Sequence, residues 1–231
     1  MEKDTIAGNL EKLLARIEKK CVSVGRNFEQ IKIVGVSKTV PAQFVREAVL
    51  AGLKECGENR VPEGIEKIKA VSPRPIWHFV GHLQRNKARK ATEYFDVIQT
   101  VDSPELAEII SKRILELDKE KEIYLQLNST GESQKSGFNA SEILDIADKI
   151  NKLRGLKLTG LMTIGPFTEN ETLIRRSFSL TNEVFDKLKG RIGGRLKWLS
   201  MGMSGDFEIA LDYGANVLRI GTAIFGPRNK F

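Results

Sequence analysis

Ile31-Lys32-Ile33-Val34-Gly35-Val36-Ser37-Lys38 is a mostly apolar, β-branched run closed by a lysine, and Thr39-Val40-Pro41 follows at once. A run of this kind reads as a strand buried on both faces, as in a parallel sheet. It delivers one amine to the C-terminal rim of that strand, after which a helix begins. A second run near the end, Val217-Leu218-Arg219-Ile220-Gly221-Thr222, delivers an arginine, a glycine and a hydroxyl from another strand. A buried amine, a fixed cation and a phosphate cradle together point to a Schiff-base cofactor site. A lysine at a strand end, taken alone, is an ordinary solvated group.

Working outward from these two runs, apolar segments alternate with amphipathic ones. Strands are predicted at 31–37, 54–58, 76–81, 97–101, 122–128, 157–164, 196–201 and 217–221. Helices are predicted at about 41–52, 60–70, 84–92, 103–118, 140–152, 169–189 and 205–213. Asp102-Ser103-Pro104-Glu105 opens a helix with proline in its first turn, where a missing N–H costs little. Ser141 or Asn139 suits the next cap, and Gly214 suits a left-handed position after a helix end. Strict alternation through eight strands favours closure into a (β/α)8 barrel, with an open doubly wound sheet as the alternative. The last strand is followed only by Ala223 to Phe231, too short for a normal eighth helix. The amphipathic stretch at about 4–20, with Leu10, Leu13, Leu14 and Ile17, is expected to cover that part of the barrel.

No Pro/Gly/Ser-rich linker divides the 231 residues, so one domain over 1–231 is expected, with 1–22 as a helix packing on the barrel. The start, Met1-Glu2-Lys3-Asp4, is charged, unlike a secretory signal, and no apolar run approaches the ~20 residues of a membrane span. Cys21 and Cys56 form no CxxC or metal-like spacing and read as reduced thiols, which with the charged start places the chain in the cytoplasm. The net charge of +7, from 37 basic and 30 acidic residues, is partly local to Gln84-Arg85-Asn86-Lys87-Ala88-Arg89-Lys90. With no aromatic stacking platform beside it, that run reads as a solvated face, and a nucleic-acid partner is not expected.

In a parallel barrel the C-terminal ends of the strands converge on one mouth. Lys38, Asn59, Met162, Thr163, Ser204 and the segment Arg219 to Thr222 all fall at such ends. Ser204 precedes the helix of 205–213 and is expected to cap it, presenting N–H groups to an anion. Gly221 permits close backbone approach and the Thr222 hydroxyl adds a donor, on the pair of loops where barrels frequently place phosphate.

These residues, with Val36-Ser37-Lys38-Thr39, Gly57-Glu58-Asn59, His78-Phe79-Val80-Gly81, Gly160-Leu161-Met162, Ser200-Met201-Gly202-Met203-Ser204 and Arg219-Ile220-Gly221-Thr222-Ala223-Ile224-Phe225-Gly226, resemble the YggS/PROSC family. The motifs keep chain order from about residue 30 to 226. That family comprises pyridoxal 5′-phosphate (PLP) homeostasis proteins with the TIM-type barrel of the alanine racemase N-terminal domain. The resemblance implies that Lys38 forms an aldimine with PLP, and that Ser204, Gly221 and Thr222 hold the phosphate. It further implies that Arg219 faces the pyridine nitrogen, while Asn59 and Met162 line the pocket.

A lysine with its ordinary pKa near ~10.4 is almost wholly protonated at neutral pH, so desolvation and a nearby cation are expected to lower it. Arg219 cannot give up its proton to the ring. It therefore favours an unprotonated pyridine nitrogen and a weak electron sink.

Alanine racemases add a tyrosine from a further domain, within a dimer. Here Tyr94, Tyr124 and Tyr213 are predicted away from the mouth, and the chain stops after the barrel. The expectation is a monomeric carrier that buffers or delivers PLP to PLP-dependent apoenzymes, exchanging it with amino acids by transaldimination. A weak PLP-dependent amino-acid racemase is the alternative, and a Schiff-base aldolase acting on a sugar phosphate the third. His78 and His82 flank the end of the third strand, as structural hydrogen-bonders or as catalytic groups. Lys135, in the loop after strand five, is either solvated or in contact with the cofactor or a second anion.

Overall fold

The computed structural model describes residues 5–132 and 134–227. Eight parallel strands pair in chain order: β1 (Lys32–Val36), β2 (Glu55–Glu58), β3 (Ile76–Phe79), β4 (Val97–Val101), β5 (Lys121–Leu127), β6 (Leu156–Thr163), β7 (Trp198–Ser200) and β8 (Val217–Ile220). β8 pairs back onto β1 with Lys32 opposite Val217 and Gly35 opposite Ile220, which closes the barrel and excludes the open sheet. The helices are α1 (Ile6–Ser23), α2 (Ala42–Leu50), α3 (Val61–Ala70), α4 (Arg85–Tyr94), α5 (Pro104–Glu116), α6 (Ile143–Asn151), α7 (Glu171–Ile192), α8 (Phe207–Asp212) and the single turn α9 (Thr222–Phe225).

Alternation along each strand sorts the side chains into two cores. Outward-facing Cys56, Trp77, Phe79, Ile98, Leu125 and Leu161 pack with the helices in the larger one. Inward-facing Val34, Val97, Tyr124, Met162 and Val217 form a separate cluster inside the barrel. In β4 the register shifts between Ile98 and Val101, both in the outer core, so Gln99 and Thr100 together fill the gap between them. Such a bulge re-aims a side chain at a barrel rim. Here it brings Thr100 to the wall of a mouth cavity.

The covering role of the N-terminal helix follows from its spacing. Ile6, Leu10, Leu13, Ile17 and Cys21 recur every three or four residues and are buried, while Thr5 Oγ1 accepts the Gly8 N–H as a cap at 3.1 Å. α1 packs against α2, α8 and α9, where a four-residue α9 leaves the helical ring thin. Each buried aliphatic side chain contributes about 1.5–3 kcal/mol. Arg26, just beyond α1, donates to the carbonyls of Ala215 (2.6 Å), Leu211 (3.2 Å) and Gly214 (3.3 Å), satisfying the C-terminal end of α8.

The caps divide. Ser103 Oγ accepts the Leu106 N–H at 3.3 Å, and Gly214 takes φ +84° just after Tyr213. α6, however, starts at Ile143 with Glu142 at its cap and no side-chain cap bond, so neither Asn139 nor Ser141 fills that role. Asn139 is engaged instead with the Glu142 carboxylate, at 3.1 Å from its N–H and 3.2 Å from Nδ2. On α4, Arg85 and Arg89 face Glu105 (3.6 Å) and Glu116 (3.1 Å) of α5, which accounts for part of the basic run as a solvated, paired face.

Candidate cofactor-binding site

The strand ends enclose a cavity of about 370 Å³, within the range of small-molecule sites. Lys38, Asn59, Ser204, Arg219, Gly221 and Thr222 all line it. Met162 does not. Its side chain is fully buried in the interior layer with Val34 and Tyr124, because it lies one residue short of the end of β6.

Lys38 stands two residues beyond β1, and both flanking peptide groups are tied down. Lys67 Nζ donates to the Ser37 carbonyl (2.6 Å), to Glu58 Oε1 (2.7 Å) and to Glu63 Oε1 (2.7 Å). Ser37 Oγ donates to Glu58 Oε1 (2.6 Å), and Glu63 Oε1 also accepts the Thr39 N–H (2.6 Å). Thr39 has φ +65°, a left-handed conformation that a β-branched residue adopts only under constraint, costing about 1–3 kcal/mol. The Lys67–Glu63 pair offsets that strain and fixes the turn. Burial raises the Glu58 pKa, opposed by its hydrogen bonds from Lys67 and Ser37. Burial also acts to raise the Glu63 pKa, but Lys67 and the Thr39 N–H bring it below its ordinary value. The sequence does not announce this network. Its only visible trace was the i,i+4 spacing of Glu63 and Lys67 on α3.

Arg219 is almost fully buried; it donates to Ser200 Oγ and to the Thr163 carbonyl, each at 2.7 Å. Burial lowers its pKa to about 10, with Asp206 opposing, so it is a cation at neutral pH. From Ser200 a polar chain runs down the barrel interior. Ser200 Oγ donates to Gln99 Oε1 (2.7 Å), which turns Gln99 Nε2 towards His78 Nδ1 (2.8 Å), and His78 Nε2 lies 2.8 Å from Glu55 Oε2. His78 is thus a structural group that helps orient the arginine from below. Nothing in the sequence marks the contact between Gln99 and Ser200, since only the register of the closed barrel brings them together.

Ser204 does not cap α8. The turn Met203-Ser204-Gly205 delays the helix to Phe207, and Asp206 occupies the cap position, its carboxylate accepting the Met203 N–H at 2.5 Å. Ser204 Oγ instead accepts the Ala223 N–H at 3.2 Å, joining the β7–α8 loop to the first turn of α9. Gly202 makes the turn possible: its φ is +92°, and a Cβ there would lie 2.6 Å from Ala210 Cβ.

A second cavity of about 300 Å³ shares Lys38, Asn59, Val80 and Ile164 with the first, and adds Thr100, Gln126, His82 and Lys135. His82 Nδ1 is 3.2 Å from Asp102 and 3.1 Å from Ser136 Oγ, and Lys135 pairs with Glu132 at 2.7 Å. Tyr94, Tyr124 and Tyr213 line neither cavity. Cys56 and Cys21 are both buried thiols, and burial pushes Cys56 up to about 12.

The donor set fits a phosphorylated aldehyde. An amine, a guanidinium, three hydroxyls and three glycines line the first cavity, and no carboxylate does among the described residues. Asn59 Oδ1 is buried there with no partner, and a Cβ at Gly221 would reach 3.3 Å from the Val36 carbonyl, so the wall is already tight without one.

The chain is similar to known proteins over nearly its whole length. The family model for the alanine racemase N-terminal domain matches residues 10–229. The pyridoxal phosphate homeostasis protein of Aquifex aeolicus is 38% identical over 220 residues, 95% of this chain and 96% of that one. Its counterpart in Escherichia coli K12 is 38% identical over 232 residues, 97% of each. The structure of PipY from Synechococcus elongatus PCC7942 with PLP bound superposes with a TM-score of 0.84 at 33% identity, covering 96% of this chain and all of that one. An alanine racemase of Clostridium difficile shares the fold, with a TM-score of 0.74 at 20% identity, this chain covering 55% of it. The chain belongs to the alanine racemase N-terminal domain family and, within it, to the pyridoxal phosphate homeostasis proteins.

Proposed function

We propose that this protein binds PLP through Lys38 and serves as an intracellular store from which the cofactor is delivered. PLP supplies an aldehyde with which a lysine amine condenses and a ring that absorbs visible light. The observation that carries the reading is the convergence of Lys38, Arg219, Ser204, Gly221 and Thr222 on one cavity. Lys38 would hold the aldehyde carbon and Arg219 would face the ring nitrogen. Ser204, Gly221 and Thr222 would take the phosphate, with Asn59 on the wall. Arg219, held by Ser200 and the Thr163 carbonyl, keeps its protons and so keeps the ring a poor electron sink.

A carrier role, rather than an enzyme, is supported by the lining. Among the described residues the first cavity has no histidine, tyrosine, cysteine or carboxylate to act as a second acid–base group opposite Lys38. The chain would act as one cytoplasmic, monomeric domain, and apoenzymes or amino acids would receive the cofactor. No helix among the described residues is long and apolar enough to cross a membrane.

The test is the absorption spectrum of the purified protein with PLP added. A visible band in the wild type that is lost in Lys38→Ala supports the reading, and no band in the wild type refutes it. Turnover of one enantiomer of an amino acid at a useful rate, abolished by Lys38→Ala, would favour the racemase instead.

A further inference from the structure

The second cavity differs from the first in what it offers. Thr100 and Gln126 are more than nine-tenths buried, and Thr100 Oγ1, Gln126 Oε1 and Asn59 Oδ1 have no hydrogen-bond partner in the protein. Gln126 Nε2 donates to the Ser136 carbonyl at 2.9 Å, so it is the carbonyl end of that amide that is left unpaired. The bulge in β4 brings Thr100 to the same wall. Two carboxamide oxygens and a hydroxyl oxygen make an acceptor-lined pocket, and its complement is a group rich in N–H donors. An anion is disfavoured there, because the basic groups of the rim already face carboxylates: Lys135 meets Glu132 and His82 meets Asp102.

We propose that this cavity seats a small primary amine, with its nitrogen among Thr100, Gln126 and Asn59 and beside Lys38, which lines both cavities. The proposal rests on the reading that Lys38 carries PLP, and it supplies the place from which an amine displaces that lysine. In the exchange, the bond from the cofactor's aldehyde carbon to the Lys38 nitrogen breaks as one to the incoming nitrogen forms, and two protons pass from the incoming amine to Lys38.

The experiment mixes PLP-loaded protein with ethylamine and follows the visible band by stopped flow. With a binding pocket the observed rate saturates with ethylamine concentration. In Thr100→Val/Gln126→Leu it should become linear and fall roughly tenfold at low amine, about the loss of one or two hydrogen bonds. Thr100→Ser, which keeps the hydroxyl, should keep the saturation. In the cofactor-free protein, ethylammonium should shift the Gln126 side-chain amide resonances in NMR spectra, whereas tetramethylammonium, with no N–H, should not.

A linear rate of equal slope in wild type and double variant overturns the proposal. So does failure of the double variant to take up PLP, which would assign these residues to the cofactor itself. If the wild type gives no visible band, the cofactor reading fails first; a band with unsaturable exchange defeats the amine pocket alone.

Discussion

Replacing Lys67 with methionine tests the network that holds the Lys38 turn. The Lys67 side chain is 7% exposed and that of Glu58 0%, and methionine fills the space while removing three donors. Losing one partner of a buried ion pair costs about 3–5 kcal/mol, because the other charge is left uncompensated. For a chain of this size each kcal/mol shifts Tm by about 2–4 °C, so Lys67→Met should melt about 6–20 °C below the wild type at pH 7.5. The pH dependence gives a second, independent readout. The Glu58 pKa in the folded protein lies above its unfolded value through burial, so its contribution to stability is present at low pH and is lost as pH rises through the folded pKa. Without Lys67 to oppose burial, that pKa climbs further and the carboxyl is protonated over a wider range. The deficit of the variant should therefore narrow between pH 7.5 and about pH 5. Calorimetric melting of both proteins at the two pH values checks this. A loss under about 2 °C, or an equal loss at both pH values, would refute the assignment of Lys67 as the buried counter-charge.

Other substitutions probe separate parts of the account. Ile17→Ala, in the fully buried stripe of α1, should cost about 2–5 kcal/mol in urea unfolding if that helix is integral to the barrel. Gly202→Ala meets both a left-handed φ and Ala210 Cβ at 2.6 Å, and should lower Tm by several degrees and weaken PLP uptake together, as read by melting and by titration of the visible band. Arg219→Leu removes the buried cation with its donors to Ser200 and Thr163, and should weaken PLP binding by roughly tenfold or more in the same titration. Cys56, with its thiol pushed up to about 12, should be inert to a thiol-titrating disulfide reagent at pH 8 in the folded protein and reactive in urea.

The eight strands are legible because each is a short apolar run between amphipathic stretches, and the run at 97–101 coincides with β4, Val97–Val101. Chain order then sufficed to bring Lys38 and Arg219 to one mouth, since adjacent parallel strands ending in phase leave little alternative. What the linear pattern could not carry was register and local turn geometry. Ser204 reads as a cap, yet the turn before Phe207 hands that position to Asp206 and sends the serine hydroxyl to Ala223. Met162 lies near a strand end, but one residue of strand is enough to move it from the rim to the interior layer. The Lys67 network and the chain from Arg219 to Glu55 join residues 4 to 101 positions apart, and all but the Lys67–Glu63 pair are contacts that the linear pattern does not mark.

The central claim, that Lys38 is the residue to which PLP is bound, is tested most directly by borohydride reduction of the PLP-loaded protein followed by proteolysis and mass mapping. The phosphopyridoxyl group should appear on the peptide containing Lys38 and be absent in Lys38→Ala. A modified peptide carrying a different lysine in place of Lys38, or no reducible adduct in a protein that still binds PLP, would contradict it.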